Sequence, residues 1–91
     1  MRSRYSAYAR GDADYLFRTW HPRTRPADVR VEADVVWTGL EVTDTVAGGV
    51  DDERGEVEFT AAFSDADGPA SMREHSLFER RAGRWVYVDG D

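Results

Sequence analysis

The chain has 91 residues and a mass of 10.3 kDa, which is enough for one small domain with a modest core. It contains no cysteine and no lysine. Their absence excludes a disulfide framework, a thiolate zinc site, a cysteine nucleophile, Schiff-base chemistry and a phosphate-binding loop lysine. A membrane-spanning run and a signal peptide are also missing from the sequence, so we expect a cytoplasmic protein with no membrane partner.

The net charge of −6 is unevenly distributed along the chain. Residues 1–30 carry a net charge of +4, whereas residues 31–91 carry −10. Such a division is typical of a basic nucleic-acid-binding face, or of a solvated helical surface opposite an acidic sheet. Because a chain with an isoelectric point near 4.8 repels a phosphate backbone, we favour the second interpretation and expect no nucleic-acid partner.

The first 20 residues have the spacing of amphipathic helices. Apolar side chains recur three or four positions apart in two groups, namely Tyr5, Tyr8 and Ala9, then Tyr15, Leu16 and Trp20. Gly11 separates the groups, and Asp12 is a suitable N-cap for the second. The pattern predicts two short helices joined at a glycine. Further along, Pro26 and Asp28 indicate one more helical turn.

From residue 35 onward the sequence predicts strands. Their expected ranges are 35–46, 56–64, 72–80 and 85–88, with an acidic loop over 48–55 and turns over 65–69 and at Ala82-Gly83. Alternation is clearest in the second strand, where Val57, Phe59, Ala61 and Phe63 share one face. Such short connections favour an antiparallel meander with the helices on one face, an α+β architecture.

Several sequence blocks have a specific likeness to a known family. These are MRSRYSAYARGDADYLFRTWHPRTRP at the start, WTGLEV at 37–42, GEVEFTAAF at 55–63, EHSLFER at 74–80 and GRWVYVDG at 83–90. In order and spacing they resemble the middle domain of the YchJ family, over essentially the whole chain. The resemblance implies a single domain over 1–91 with a nuclear transport factor 2-like (cystatin-like) fold. In that fold a curved antiparallel sheet, four-stranded here, wraps around N-terminal helices to form a cone.

The sequence departs from the family in one respect. Family members usually carry a cysteine-rich SEC-C segment just before this domain, which would bind zinc, and this chain has none. We therefore expect a truncated chain or a late start codon, with zinc bound only by the missing segment. His21 and His75 lie on different predicted elements without a closely spaced second ligand, so we expect no metal or other cofactor in these residues.

Glu74 is the first candidate for chemistry. It shares a strand face with Ser76 and Phe78, and the apolar Phe78 indicates that this face points inward. Glu74 is then either a general base in an internal pocket or the structural partner of an N-terminal arginine, Arg2 or Arg4. We expect the structural pairing.

His21 is the second candidate. It stands between Trp20 and Pro22, where the second helix gives way to a loop. Histidine titrates near neutral pH, which suits acid–base catalysis or ligand contact. The alternative, which we favour, is a cap on the C-terminus of the preceding helix, where a partly charged imidazole is stabilising.

Five aromatic residues are candidates for ligand binding, with places in the core as the alternative: Tyr8, Tyr15, Trp20, Trp37 and Trp85. We expect a non-catalytic domain that binds a small molecule or a protein. The alternative is a small isomerase or hydrolase that uses Glu74 or His21 as its base. A cavity of at least about 300 Å³ that holds Glu74 away from arginine would favour the enzyme, whereas a space filled by Tyr and Trp rings, with Glu74 bonded to arginine, would contradict it.

We also expect a homodimer. The outer face of so small a curved sheet cannot be entirely polar, and Leu77 and Val86 are its apolar members. The sequence names neither a ligand nor a reaction.

Overall fold

The computed structural model describes residues 2–32 and 34–90. Its elements are two helices, α1 (Arg2–Arg10) and α2 (Ala13–Arg18), followed by four strands, β1 (Val36–Ala47), β2 (Arg54–Asp65), β3 (Gly68–Arg81) and β4 (Arg84–Gly90). The sheet order is β1-β2-β3-β4, and each neighbouring pair is antiparallel. The predicted α+β meander is therefore confirmed. Within these two ranges, no helix is long and apolar enough to cross a membrane.

The joint between the helices forms as the sequence predicts. Gly11 has a φ of +72°, a conformation that glycine adopts without strain, and the Asp12 carboxylate accepts a hydrogen bond from the Tyr15 N–H at 3.0 Å. The turn of helix predicted at Pro26 is wrong. The Asp28 carboxylate accepts a hydrogen bond from Nε of Arg30 at 2.8 Å instead of capping a helix.

The two later hairpins are tight. Between β2 and β3 only residues 66 and 67 lie outside the strands, so β3 begins at Gly68 and not at the predicted residue 72. Between β3 and β4, Ala82 and Gly83 have φ values of +50° and +77°, which are typical of a type I′ turn. Register shifts near Gly39 and Thr43 interrupt the pairing of β1, and such bulges bend a strand.

The helices are attached to the sheet at its two edges. At β1, the rings of Tyr8 and Trp37 lie 6.0 Å apart between centroids. At β4, the N–H of Tyr87 donates to the carbonyl of Thr19 and its carbonyl accepts from the N–H of His21, both at 2.7 Å. The helical segment therefore spans the sheet and leaves a space over β2 and β3.

A small set of apolar side chains forms the core. The buried hydrophobic residues are Ala7, Leu16, Phe59, Ala61, Phe78, Val86 and Val88. Val86 is only 8% exposed in the single chain, and Leu77 is half-buried. Val86 is thus already covered by the chain itself, so it offers little surface to a second copy.

Candidate active site

A cavity of about 310 Å³ lies between the helical segment and the concave face of the sheet. The helical side contributes Arg4, Tyr5, Tyr8 and Trp20. The sheet contributes Trp37, Phe59, Ala61, Met72, Glu74 and Tyr87. The lining is mainly aromatic and apolar, with one cationic and one anionic side chain, which is typical of a small-molecule site.

Arg4 is the cation, and it is buried, with only 4% of its surface exposed. Its Nη1 donates to the Leu16 carbonyl at 3.3 Å and to the Thr19 hydroxyl at 2.8 Å. Its Cζ lies 5.2 Å from the ring centroid of Trp20 and 4.6 Å from that of Tyr87, so the guanidinium has cation–π contacts with both rings. The groups that make these contacts with the guanidinium are all uncharged.

Among the described residues, the charge of Arg4 has no opposite charge beside it. Within residues 2–32 and 34–90, no carboxylate lies at ion-pair distance from the guanidinium. Burial lowers the pKa of Arg4, an effect that the nearby hydroxyls of Tyr8 and Tyr87 oppose. Because an uncompensated buried charge is costly, an anion entering the cavity would find a partner already in place.

Glu74 is the anion of the cavity. Ser76, which is fully buried, donates a hydrogen bond from Oγ to Oε2 of Glu74 at 2.5 Å. The inward orientation predicted for Glu74, Ser76 and Phe78 is therefore confirmed. Among the residues described, neither Arg2 nor Arg4 forms an ion pair with Glu74, because the Arg4 guanidinium is engaged by the end of α2.

Gly90 allows Glu74 and Tyr87 to occupy their positions. A Cβ on Gly90 would lie 2.5 Å from Cδ of Glu74 and 2.7 Å from the Tyr87 hydroxyl, closer than atoms can approach. Tyr87 is half-buried, and burial, followed by the charges of Glu74 and Asp89, raises its pKa to about 12. Tyr87 is therefore a neutral hydrogen-bond donor at physiological pH.

Trp20 carries a buried hydrogen-bond donor. Its Nε1–H is buried and has no hydrogen-bond partner among the residues that the structure describes. Leaving a buried donor unpaired costs about 1–3 kcal/mol. The ring of Trp20 lines the cavity, and Cζ of Arg4 lies 5.2 Å from its centroid.

His21 lies outside this cavity. Its Nδ1 accepts the N–H of Arg23 at 3.0 Å, and its Nε2 lies 3.6 Å from an oxygen of Glu79. The expected cap on α2 is made by other groups: Nη1 of Arg4 donates to the Leu16 carbonyl, and Nη1 of Arg25 donates to that of residue 17. The ring of His21 therefore stabilises the loop that follows α2.

The structure separates the five aromatic candidates into two groups. Tyr8, Trp20 and Trp37 line the cavity of Glu74, whereas Tyr15 and Trp85 line a second cavity of about 460 Å³ near the acidic loop. Sequence reasoning considered Arg4 only as a partner for Glu74, and it missed Tyr87 and Gly90. For Arg4 a signal existed, because it lies three positions before the buried Ala7, on the inner face of α1.

No group of three or more potential metal ligands is present in the described part of the chain. His75 lies on the opposite face of β3 from Glu74, with Nε2 2.7 Å from Oε1 of Glu56. The sequence has no cysteine, so these residues cannot supply the thiolate ligands of a SEC-C zinc site.

Comparison with known proteins supports the resemblance found in the sequence. The family model of the YchJ middle NTF2-like domain matches residues 1–90. The UPF0225 protein SCO1677 of Streptomyces coelicolor is 50% identical over 91 residues, which is 100% of this chain and 70% of the relative. A UPF0225 protein of Deinococcus radiodurans is 50% identical over 90 residues, which is 98% of this chain and 64% of that protein.

Two solved structures have the same fold. The solution structure of RPA3114, a SEC-C motif containing protein from Rhodopseudomonas palustris, is 32% identical with a TM-score of 0.84, covering 100% of this chain and 73% of that one. The crystal structure of a SEC-C motif containing protein from Psychrobacter arcticus is 27% identical with a TM-score of 0.76, covering 98% of this chain and 56% of that one. With helices before a curved meander and a family match over 1–90, the chain belongs to the family of YchJ middle NTF2-like domains.

Proposed function

We propose that this domain binds a small molecule, without catalysis, in the cavity between its helices and its sheet. The observation that carries the proposal is the buried guanidinium of Arg4, which lines a cavity of about 310 Å³ and has no carboxylate beside it within the described ranges. A structural arginine is normally paired with an acid when it is buried. A concave, mainly apolar space with a few polar groups is the usual form of a ligand site.

Native mass spectrometry of the purified chain tests this proposal. The chain is measured as isolated and again after incubation with a metabolite mixture. We expect a stoichiometric adduct of small mass in at least one of the two spectra. A bare mass in both spectra would contradict the proposal and would direct attention to protein partners.

Neighbouring alanines on β2 provide a matched pair of variants. Ala61 is 2% exposed and lines the cavity, whereas the next residue, Ala62, points to the other face. Ala61→Leu should fill part of the cavity and abolish the adduct, whereas Ala62→Leu should retain it. Loss of the adduct in both variants would mean that ligand binding occurs elsewhere.

A second candidate function is a small enzyme with Glu74 as its general base. It is favoured by one observation: the Glu74 carboxylate lines the cavity, and within the described residues no arginine forms an ion pair with it. A carboxylate so placed suits proton abstraction from a bound ligand. The cavity volume and the absence of an arginine partner for Glu74 within the described residues meet the condition given above for an enzyme. We prefer the binding function because no histidine and no second carboxylate is among the described residues that line the cavity beside Glu74.

The two functions differ in what happens to the bound molecule. Any ligand found by mass spectrometry is incubated with the wild-type chain and followed by NMR. A binding domain leaves it unchanged, whereas an enzyme converts it, and Glu74→Gln then stops the conversion while retaining the adduct. Conversion that is unaffected by Glu74→Gln would exclude Glu74 as the base.

We also propose that this domain works in the cytoplasm without a metal and that zinc belongs to a SEC-C segment outside it. The support is the absence of cysteine and the SEC-C motif in the names of two structural neighbours. Metal analysis of the purified chain should find no stoichiometric zinc.

A further inference from the structure

We propose that the ligand of this cavity is a small ampholyte, a molecule that carries both a carboxylate and an ammonium group on an apolar body. This inference rests on the proposed binding function and assigns the chemistry of its ligand. Arg4 would bind the carboxylate, Glu74 would bind the ammonium group, and the apolar body would lie against Trp37, Phe59 and Met72.

The argument begins with the two charges of the lining. Arg4 and Glu74 face the same cavity without forming an ion pair, so each remains available to an opposite charge. A simple anion would pair with Arg4 but would be repelled by Glu74. A simple cation would pair with Glu74 but would be repelled by Arg4. A molecule with both charges satisfies the two groups at once and adds no net charge to a low-dielectric space.

The hydrogen-bonding groups around each charge agree with this assignment. Arg4 donates through Nη1 to the Leu16 carbonyl and the Thr19 hydroxyl, and its other N–H groups are the donors left for a ligand. A carboxylate has the acceptor capacity that these donors lack. Beside Glu74, Ser76 occupies Oε2, and no residue in 2–32 or 34–90 hydrogen-bonds to Oε1, which is left to accept from an ammonium.

The size and the apolar lining fix the rest of the molecule. The lining of the cavity of about 310 Å³ includes the apolar side chains of Trp37, Phe59 and Met72. An apolar cavity of about 150 Å³ already accommodates benzene, so a ligand with one ring and two small charged groups fits. Larger phosphorylated molecules carry more negative charge than one guanidinium can compensate.

Four probes of nearly one shape separate the charges. L-Phenylalanine carries a carboxylate and an ammonium group. 3-Phenylpropanoate carries the carboxylate alone, 2-phenylethylamine the ammonium group alone, and 3-phenylpropanamide neither charged group. Each is titrated to about 10 mM against the labelled chain by NMR, a range that detects millimolar dissociation constants. We expect L-phenylalanine to bind at least about tenfold tighter than each of the others, with shifts at cavity residues.

Variants assign each charge to its partner. Glu74→Gln should weaken the binding of L-phenylalanine about tenfold without weakening that of 3-phenylpropanoate. Arg4→Lys should weaken the binding of both carboxylates and leave the affinity for 2-phenylethylamine unchanged. Glu58→Gln, on the outer face of β2, is the matched control and should leave the affinity for all four probes unchanged. Since Arg4→Met would also remove hydrogen bonds between α1 and α2, the charge-retaining lysine is the safer variant.

The outcomes are distinguishable from those of the binding proposal. If 3-phenylpropanoate or the amide binds as tightly as L-phenylalanine, the ampholyte assignment is overturned while the cavity remains a binding site. If none of the four probes shifts cavity residues, the assignment is also overturned, and the metabolite-mixture experiment then decides the binding function on its own.

Discussion

Tyr87 links the two charged groups of the cavity. Its ring lies 4.6 Å from Cζ of Arg4, and the charge of Glu74 contributes to the upward shift of its pKa. Its backbone also binds the segment that follows α2. A single residue therefore couples the attachment of the helices to the electrostatics of the site.

This coupling predicts a pH dependence of stability. The pKa of Tyr87 rises from the ordinary 10.0 to about 12, so the folded chain holds the phenol proton more tightly than the unfolded chain. The resulting stabilisation is complete below pH 10 and is lost as the pH rises towards 12. We expect the free energy of unfolding in urea to fall across this window, and to fall less steeply in Tyr87→Phe.

Glu74→Gln serves as the second variant in this titration. Because the Glu74 charge is the second cause of the shift after burial, its removal should lower the pKa of Tyr87 in the ultraviolet titration of phenolate. An unchanged alkaline slope in Tyr87→Phe would show that the loss of stability has another origin.

Gly90 provides a test of positioning at the same end of the cavity. In Gly90→Ala the new methyl group would displace the end of the Glu74 side chain, which has the cavity to move into, and would press on the hydroxyl of Tyr87. We expect a loss of stability of about 1 kcal/mol and a larger proportional loss of ligand affinity, measured by urea unfolding and NMR titration.

The matched control is Gly39→Ala. A Cβ at Gly39 meets nothing within 4 Å, and its φ is not positive, so this change should leave both stability and affinity nearly unaltered. Equal effects of the two substitutions on ligand affinity would contradict the positioning role of Gly90.

At the scale of the elements, the β3–β4 turn can be improved. Ala82 adopts a φ of +50°, where asparagine is better tolerated than alanine, and Asn-Gly is the preferred pair for a type I′ turn. Ala82→Asn should raise the free energy of unfolding by about 0.5–1 kcal/mol, measured by urea denaturation. Ala66→Asn, in a turn where residue 66 has no positive φ, should bring no such gain.

The elements also show what local sequence patterns determine. The Asp12 cap, the Gly11 joint and the alternation of β2 are short-range signals, and each appears in the structure. The early start of β3 was missed, because it depends on register pairing with the end of β2. The helical turn at Pro26 was wrong, since Asp28 pairs with a neighbouring side chain.

The site was less predictable than the fold, since it is formed by residues distant in sequence. The alternation along β3 correctly predicted that Glu74 points inward. The predicted pairing with Arg4 assumed that an interior arginine and an interior acid would meet. The guanidinium instead contacts the end of α2 and the rings of Trp20 and Tyr87. The packing of α1 against α2 and β4 decides that orientation.

At the scale of the whole molecule, the homodimer stays a prediction. The outer face bears paired charges, with His75 2.7 Å from Glu56, and Val86 is buried, which leaves Leu77 as the apolar member of the predicted contact. In an isologous dimer Leu77 would recur on both copies, so that one substitution acts twice.

Sedimentation tests this at about 100 µM chain, because association depends on protomer concentration. We expect the wild-type chain to sediment as a dimer and Leu77→Arg to sediment as a monomer. Val50→Arg, at a side chain 87% exposed in the acidic loop, is the control and should remain dimeric. A monomeric wild-type chain would contradict the prediction, and it would mean that the charged pairs of the outer face are balanced within one domain and face solvent.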